Sequence, residues 1–375
     1  MVEVRGDSGQ VADPVGVAVG KAARIDLVDR RAAPPGRERR RRAADVAAGA
    51  FHRLEQLFHV DGEGLGLVVE ALVGAGVGGG PLPPGGSPGP RRSGPPAGAV
   101  TGSVRDRSTG SPKKDALQTG IEAAGGTYIL TTDADCEVPP TWLMAYNSFI
   151  RETPVDIVAG PVNIRSGKSL LTRFQEIDFF SLQAASIGGF GVDLPFMCNG
   201  ANLCFRKEQF LKVEGYQGNE SIASGDDIFL LEKFVSHGMK VAFLKDSAAS
   251  VITTAQQSIK SLFMQRIRWA AKTSSYSEIF PKAVGLSVFL MNLLLVAGVI
   301  LVAAGAVEKQ YLLLAFLVKF NLDFALIYRS AHFFGRENSM RDYFWVSILY
   351  PFFCCGVVFM SGFTPYQWKG RKFRK

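Results

Sequence analysis

The chain has 375 residues and a formal net charge of +8, and by length it admits two domains of roughly 100 to 200 residues each. Its five cysteines, Cys136, Cys198, Cys204, Cys354 and Cys355, form no C-x-x-C pair and no Cys/His set at zinc spacing, which argues against a disulfide framework or a zinc site and fits a reducing compartment. The basic balance sets only a weak preference for polyanions, and a nucleic-acid partner is not expected, because the arginines near the N-terminus lack interleaved aromatics for stacking on bases.

Up to Pro112, Lys21 is the only lysine, and Phe51 and Phe58 are the only aromatics. Residues 1–30 carry charges throughout, so no signal peptide is read there. Gly74 to Pro96 has almost no side chains able to build a core, and disorder is expected for this leader. Phe51, Leu54, Leu57 and Phe58 fall at helical spacing, so Phe51 to Val77 reads as a weak helix followed by a strand. The absence of Asn, Tyr and Trp, with Arg replacing Lys, is what a GC-rich wrong reading frame produces. A frameshift or mis-called start ahead of the domain is therefore expected.

From Lys113 the pattern becomes orderly. Ala116, Leu117, Ile121 and Ala124 share one face of a helix over Asp115 to Ala124, which Gly125-Gly126 ends. Thr127 to Thr132 reads as a strand running into Asp133-Ala134-Asp135. Pro139-Pro140 opens a helix over Thr141 to Ile150, and Val155 to Val162 reads as the next strand. Helix and strand alternating in this way imply an α/β sheet, with ligands taken at the C-terminal ends of strands. A Gly-rich loop is read at Gly188 to Gly191 and a strand ending at Phe205, with an amphipathic piece lying on a membrane an equal reading of Phe179 to Phe190.

Three apolar segments close the chain, Ala283 to Val307, Tyr311 to Tyr328 and Tyr343 to Phe363, each near the about 20 residues a membrane helix needs. The second carries Lys319, Asn321 and Asp323, which are costly at membrane depth unless paired, so it reads as interfacial rather than spanning. Pro351 is expected to kink the third or turn it back. The basic residues Lys369, Arg371, Lys372, Arg374 and Lys375 ask for the cytoplasm, so an even number of crossings is expected, with the tail and the 113–282 domain on the same side.

Four strings carry chemistry. Asp133 and Asp135 lie on one side of an extended turn and can approach one hard divalent cation, although solvated turns often contain such pairs. Gly225-Asp226-Asp227 precedes the amphipathic run Ile228, Leu230, Leu231, Phe234, Val235; either acid serves as an N-cap or as a base for an acceptor hydroxyl. Gln265-Arg266-Ile267-Arg268-Trp269 joins guanidiniums for a phosphate to an indole for a sugar face, or forms a membrane-interface belt. Cys198-Asn199-Gly200-Ala201-Asn202 offers small residues and two amides to hydroxyls, or is an ordinary Asn-Gly turn.

In this order the strings, together with Lys113-Lys114-Asp115-Ala116-Leu117 and Gly120-Ile121, resemble the membrane-bound family 2 glycosyltransferases with a GT-A catalytic domain, the group of cellulose, hyaluronan and poly-N-acetylglucosamine synthases. Trp368-Lys369-Gly370-Arg371 is similar to the tail of some members. The resemblance implies a leader at 1–112, a Rossmann-like mixed-sheet domain at 113–282 that is incomplete at its N-terminus, a transmembrane region at 283–363 and a basic tail at 364–375. No strand of the nucleoside-binding half is read in the leader.

The same resemblance implies inverting transfer from a nucleotide-diphosphate sugar, a UDP-sugar by family expectation, to a glycan or lipid acceptor in envelope polysaccharide or glycolipid synthesis. The chain would be a multi-pass protein of the inner or plasma membrane with a cytoplasmic catalytic domain. Asp133 and Asp135 would hold Mg2+ or Mn2+ and the diphosphate, with Asp135 the direct ligand and Arg268 beside the phosphates. Asp227 would be the general base and Asp226 its supporting acid, while Asn199, Gly200, Asn202, Gln265 and Trp269 would line the acceptor side. Gly-Asp-Asp replaces the family's Thr-Glu-Asp, which leaves the choice between the two aspartates open, and because the donor half is incomplete, weak or absent activity is expected. The alternative is a non-catalytic membrane protein, which nucleotide-sugar binding would distinguish.

Overall fold

A computed structural model describes residues 65–70, 112–133, 135–218, 225–273, 276, 278–363, 366–368 and 371–373. Apart from residues 65–70, the leader expected to be disordered lies outside these residues, as does the expected helix after Phe51. The described elements run β1 (Leu65–Glu70), α1 (Pro112–Ala123), β2 (Tyr128–Asp133), α2 (Trp142–Glu152), β3 (Ile157–Ala159), β4 (Val162–Ile164), α3 (Leu170–Gly191), β5 (Leu203–Arg206), α4 (Lys207–Lys212), α5 (Asp226–Ser236), β6 (Val241–Phe243), β7 (Val251–Thr253), α6 (Ile259–Thr273), α7 (Ile279–Ala303), α8 (Lys309–Phe333) and α9 (Tyr343–Phe363), with a hairpin β8 (Tyr366–Trp368) and β9 (Arg371–Phe373).

The fold is α/β with a mixed sheet, in the order β1-β2-β5-β3-β6 among the described residues. β1 pairs parallel with β2 from Leu65↔Tyr128 to Glu70↔Asp133; the strand expected within Phe51 to Val77 is present, and it joins the sheet beside the Asp133 strand, to which no leader strand had been assigned. β5 runs antiparallel between β2 and β3, and β3 pairs parallel with β6.

Register explains the two cores. Ile129, Phe205 and Ile157 face each other across three strands, as do Leu130, Cys204 and Val158. Because successive side chains alternate between faces, the first row packs with Leu117 and Ile121 of α1 and Leu230 and Phe234 of α5. The second row packs with Trp142 and Tyr146 of α2 and Phe179 of α3. Each fully buried apolar side chain stabilises by roughly 1.5–3 kcal/mol, and a sheet covered on both faces is what the nearly continuous apolar run of β2 requires.

The expected strand over Val155 to Val162 is two strands in different sheets. At Gly160 the chain leaves β3, and Pro161, which can donate no ladder hydrogen bond, lies just before β4, which pairs parallel with β7. A Cβ at Gly160 would stand 2.6 Å from Asn202 Cγ, so the break needs glycine.

The segment expected to lie on a membrane is instead the inner half of the 22-residue helix α3, and Gly188 to Gly191 is its last turn rather than a loop. Ile177 and Phe180 are buried against Ile327 and Ala331 of α8 and Tyr343 and Val346 of α9. Polar ties join α3 to the connection between α8 and α9: Arg173 Nη1 meets Asp342 Oδ2 at 2.6 Å and Arg336 Nη1 meets Glu176 Oε1 at 2.9 Å. The helix is consumed by protein packing, which its apolar residues alone could not reveal.

α7, α8 and α9 are long and apolar enough to cross a membrane, and at 1.5 Å per residue the 25 residues of α7 and of α8 span about 37 Å. The polar groups of α8 are paired: Lys319 forms an ion pair with Asp323 and lies 5.9 Å from the ring centre of Tyr350, while Asn321 Nδ2 donates to Leu317 O at 2.8 Å. Such pairing reduces the cost on which an interfacial placement rested. α9 continues through Pro351 without turning back.

Candidate active site

β2 ends at Asp133, α5 begins at Asp226, and the 3-10 turn Gly200–Asn202 leads into β5; these three points border one cleft, with Lys113 of α1, Thr132 and Tyr216 also in its lining. Asp133, at the C-terminal end of β2, thus shares this cleft with Asp226 and Asp227. Lys113 Nζ bridges two of them, 3.3 Å from Asp133 Oδ1 and 3.2 Å from Asp226 Oδ2.

Neither aspartate is the N-cap of α5. That position is Gly225, at φ +90°, a left-handed conformation in which a side chain is strained. Asp226 and Asp227 are the first two helical residues, where the helix dipole favours negative charge. Their environments differ. Burial pushes the Asp226 carboxyl upward, but the ammoniums of Lys113 and Lys272 outweigh it and hold the group below its ordinary range. Asp227 is less buried; its Oδ2 accepts from Gly200 N at 3.0 Å and its Oδ1 from Ile228 N at 2.9 Å.

Lys272 was not singled out by sequence. It is buried, and burial lowers its pKa, with Asp227 and Asp226 opposing and Arg268 adding to the fall. Arg268 and Lys272 stand four residues apart on α6, and that i, i+4 spacing was the available signal that they share one face of the helix. The other half of the string turns inward. Arg266 is buried, with Nε 2.8 Å and Nη2 2.5 Å from Asp178 Oδ2, and its guanidinium lies 4.2 Å from the Trp269 ring centre. Gln265 Oε1 accepts from Arg266 Nη1 at 2.7 Å, and Trp269 packs on the second core. Gln265 and Trp269 thus brace Arg266, while Arg268 faces Lys272.

The Asn199–Asn202 string divides in the same way. Asn199 Oδ1 caps the 3-10 turn by accepting from Ala201 N at 3.0 Å, and Gly200 presents its N–H to Asp227. Asn202 is fully buried: Oδ1 accepts from Trp142 Nε1 and Tyr146 Oη, each at 2.8 Å, and Nδ2 donates to Pro161 O at 2.7 Å and Ala249 O at 3.0 Å. The expectation that Asn202 lines an acceptor pocket is corrected on this geometry, because its amide is spent on the frame around Gly160.

Asp133, Asp135 and Cys136 can each place a ligand atom within 4.8 Å of the others. Burial, with Asp133 adding to it, pushes the Cys136 thiol up to about 12, and sulfur is a poor match for a hard cation, which prefers oxygen. The two carboxylates fit Mg2+ or Mn2+. The hydroxyl of Thr132 next to them is buried without a hydrogen-bond partner.

Residues 95–272 match the family model described as Glycosyltransferase like family 2. The matched stretch contains every site residue named above and ends at Lys272, before the first membrane-length helix; β1 lies outside it. The comparison with curated proteins gives no match.

Proposed function

We propose that this chain transfers a sugar from a nucleotide-diphosphate sugar, a UDP-sugar by family expectation, to a hydroxyl of a glycan or lipid acceptor with inversion at the anomeric carbon. The family match supports glycosyltransferase chemistry in general. The observation that carries the finer reading is the pairing of two unlike carboxylates at the start of α5, one neutralised by lysines and one facing a backbone N–H at the cleft.

Asp227 is the base. Asp226, held ionised by its lysine partners, is too weakly basic to take a proton, and it fixes Lys113 between the strand acid and the helix. The acceptor hydroxyl gives its proton to Asp227 as its oxygen bonds to the anomeric carbon, and the bond to the diphosphate breaks with its electrons leaving on the phosphate. Arg268 and Lys272 face that departing charge. Asp133 and Asp135 would hold Mg2+ or Mn2+, which when bound neutralises diphosphate charge. The apolar helices α7, α8 and α9 support a membrane protein; with the basic tail in the cytoplasm, the 113–282 domain shares that side if two of them cross and lies opposite if all three do.

The test is isothermal titration of UDP with Mn2+ into the detergent-purified chain and into Asp135→Ala. Metal-dependent binding that the substitution abolishes is expected. Failure of both proteins to bind would leave the non-catalytic alternative.

A further inference from the structure

α9 follows the catalytic domain for most of its length. Tyr343 and Val346 are buried with Ile177 and Phe180 of α3, Phe353 meets Phe174 of α3 edge to face at 5.1 Å, and Val357 is buried with Ile267 and Ala271 of α6. From Tyr343 to Val357 this contact runs about 21 Å at 1.5 Å per residue. The residues left in the helix cover about 9 Å, against the about 30 Å of a bilayer's hydrocarbon, and β8 then lies against α6 again. The surface beneath α9 is not membrane material. α6 carries Lys260, Arg266, Arg268 and Lys272, and α3 carries Glu176 and Asp178, so sinking that face into lipid would take a run of ionised groups with it.

α7 and α8 behave differently. Phe280 in the first turn of α7 meets Phe196 edge to face at 5.4 Å, and Ile327 and Ala331 near the end of α8 are buried on α3. Between those ends the helices run side by side, and a Cβ at Gly298 would stand 2.9 Å from Leu312 Cδ1. The pair therefore leaves the domain and returns to it. The outer face of α9 is also distinctive. Trp345, Leu349, Phe352, Phe359 and Phe363 are exposed and fall within roughly 80° of one another around the helix. No charged residue occurs from Tyr343 to Phe363, while Arg341 and Lys369 stand beyond the two ends. An apolar aromatic stripe between basic ends suits a helix lying in an interface plane, with protein here in place of the polar face.

We propose that α9 is a membrane-surface helix, seated on α3 and α6 by one face and dipping the stripe from Trp345 to Phe363 into the acyl chains of one leaflet. α7 and α8 are the pair that enters the bilayer, and the basic tail lies on the side of the catalytic domain. This assigns the non-spanning segment to α9, where the sequence pointed to α8. It rests on the membrane reading of α7 and α8 and is independent of the transferase chemistry. One helix thereby touches lipid and holds α6, so the cations Arg268 and Lys272 are tied to that leaflet.

The experiment takes sealed membrane vesicles of both orientations from cells expressing the full chain with a C-terminal epitope, treats them with protease, and probes for the epitope and for the 113–282 domain. Both should be cleaved together in one orientation and protected together in the other. Depth along α9 is read in nanodiscs by fluorine NMR, with Trp345, Phe352 and Phe359 replaced in turn by trifluoromethyl-phenylalanine and relaxation by oxygen compared with that by aqueous nickel. The three oxygen-to-nickel ratios should agree within about twofold, because an in-plane stripe sits at one depth. A spanning α9 would put Phe352 about 10 Å deeper than Trp345 and raise its ratio severalfold, which would overturn the proposal. Extraction of the same membranes with alkaline carbonate separates the two readings. Release of the chain would defeat the membrane reading and the proposal with it, whereas a retained chain whose epitope is protected where the domain is cleaved would defeat the proposal alone.

Discussion

Gly200 N lies 3.0 Å from Asp227 Oδ2, so the loop that enters β5 and the helix that begins at Asp226 hold the candidate base between them. A Cβ at Gly200 would meet Asp227 Cβ at 3.4 Å, the near edge of ordinary van der Waals contact. The carboxylate is positioned by backbone, not by another side chain, and its proton affinity is the property that substitution would remove.

Asp227→Asn should therefore lower kcat by about 10²- to 10⁴-fold with UDP affinity nearly unchanged. Asp226→Asn, which frees Lys113 from its buried partner, should instead weaken donor binding along with stability. Single-turnover rates and UDP titrations on both variants check this; equal kcat losses with identical UDP affinities would contradict the division of roles.

Lys113 should set the acid limit of stability. The Asp226 pKa is depressed in the folded state, so its contribution is present above the unfolded value of about 3.9 and is lost as pH falls through the folded pKa. In Lys113→Met burial loses its main opponent, the Asp226 pKa rises, and the fall in stability should begin at higher pH. Denaturant midpoints followed between about pH 3 and 6 measure the shift.

Asn202→Ala should act on the fold before the chemistry. It strands the Trp142 indole N–H and the Tyr146 hydroxyl in the core, at about 1–3 kcal/mol for each unsatisfied group. Thermal unfolding should show the loss, while Asn199→Ala, which removes only the cap of a short turn, should be milder.

Cys136→Ser should leave Mn2+-dependent UDP binding intact, since a hard cation prefers the oxygens of Asp133 and Asp135 to sulfur. Loss comparable to that in Asp135→Ala would make sulfur a ligand after all.

Much of the catalytic domain was legible because its elements are short and punctuated. β2 and α2 begin and end within about two residues of where alternation, Gly125-Gly126 and Pro139-Pro140 place them. What failed was long-range. Nothing local in Leu65 to Glu70 announces its partner, because a parallel strand is defined by a pairing across more than sixty intervening positions, from Leu65 to Tyr128. Asn202 and Asn199 look alike in sequence, and only the approach of Trp142 and Tyr146 from α2 separates a structural amide from one at the cleft edge. Lys272 went unread because its role depends on burial beside two acids far away in the chain.

The packing of α6 sets a limit on how the protein can be dissected. Ile267 and Ala271 of α6 are buried with Val357 of α9, and Phe263 meets Phe353 edge to face at 4.7 Å, on the helix that carries Arg268 and Lys272. Truncation ahead of α7 would bare that apolar stripe and free the helix that brings two cations to the cleft. A soluble fragment would thus gain a sticky surface and lose the alignment of Arg268, so reconstitution with the three apolar helices attached is the form in which this chemistry can be assayed.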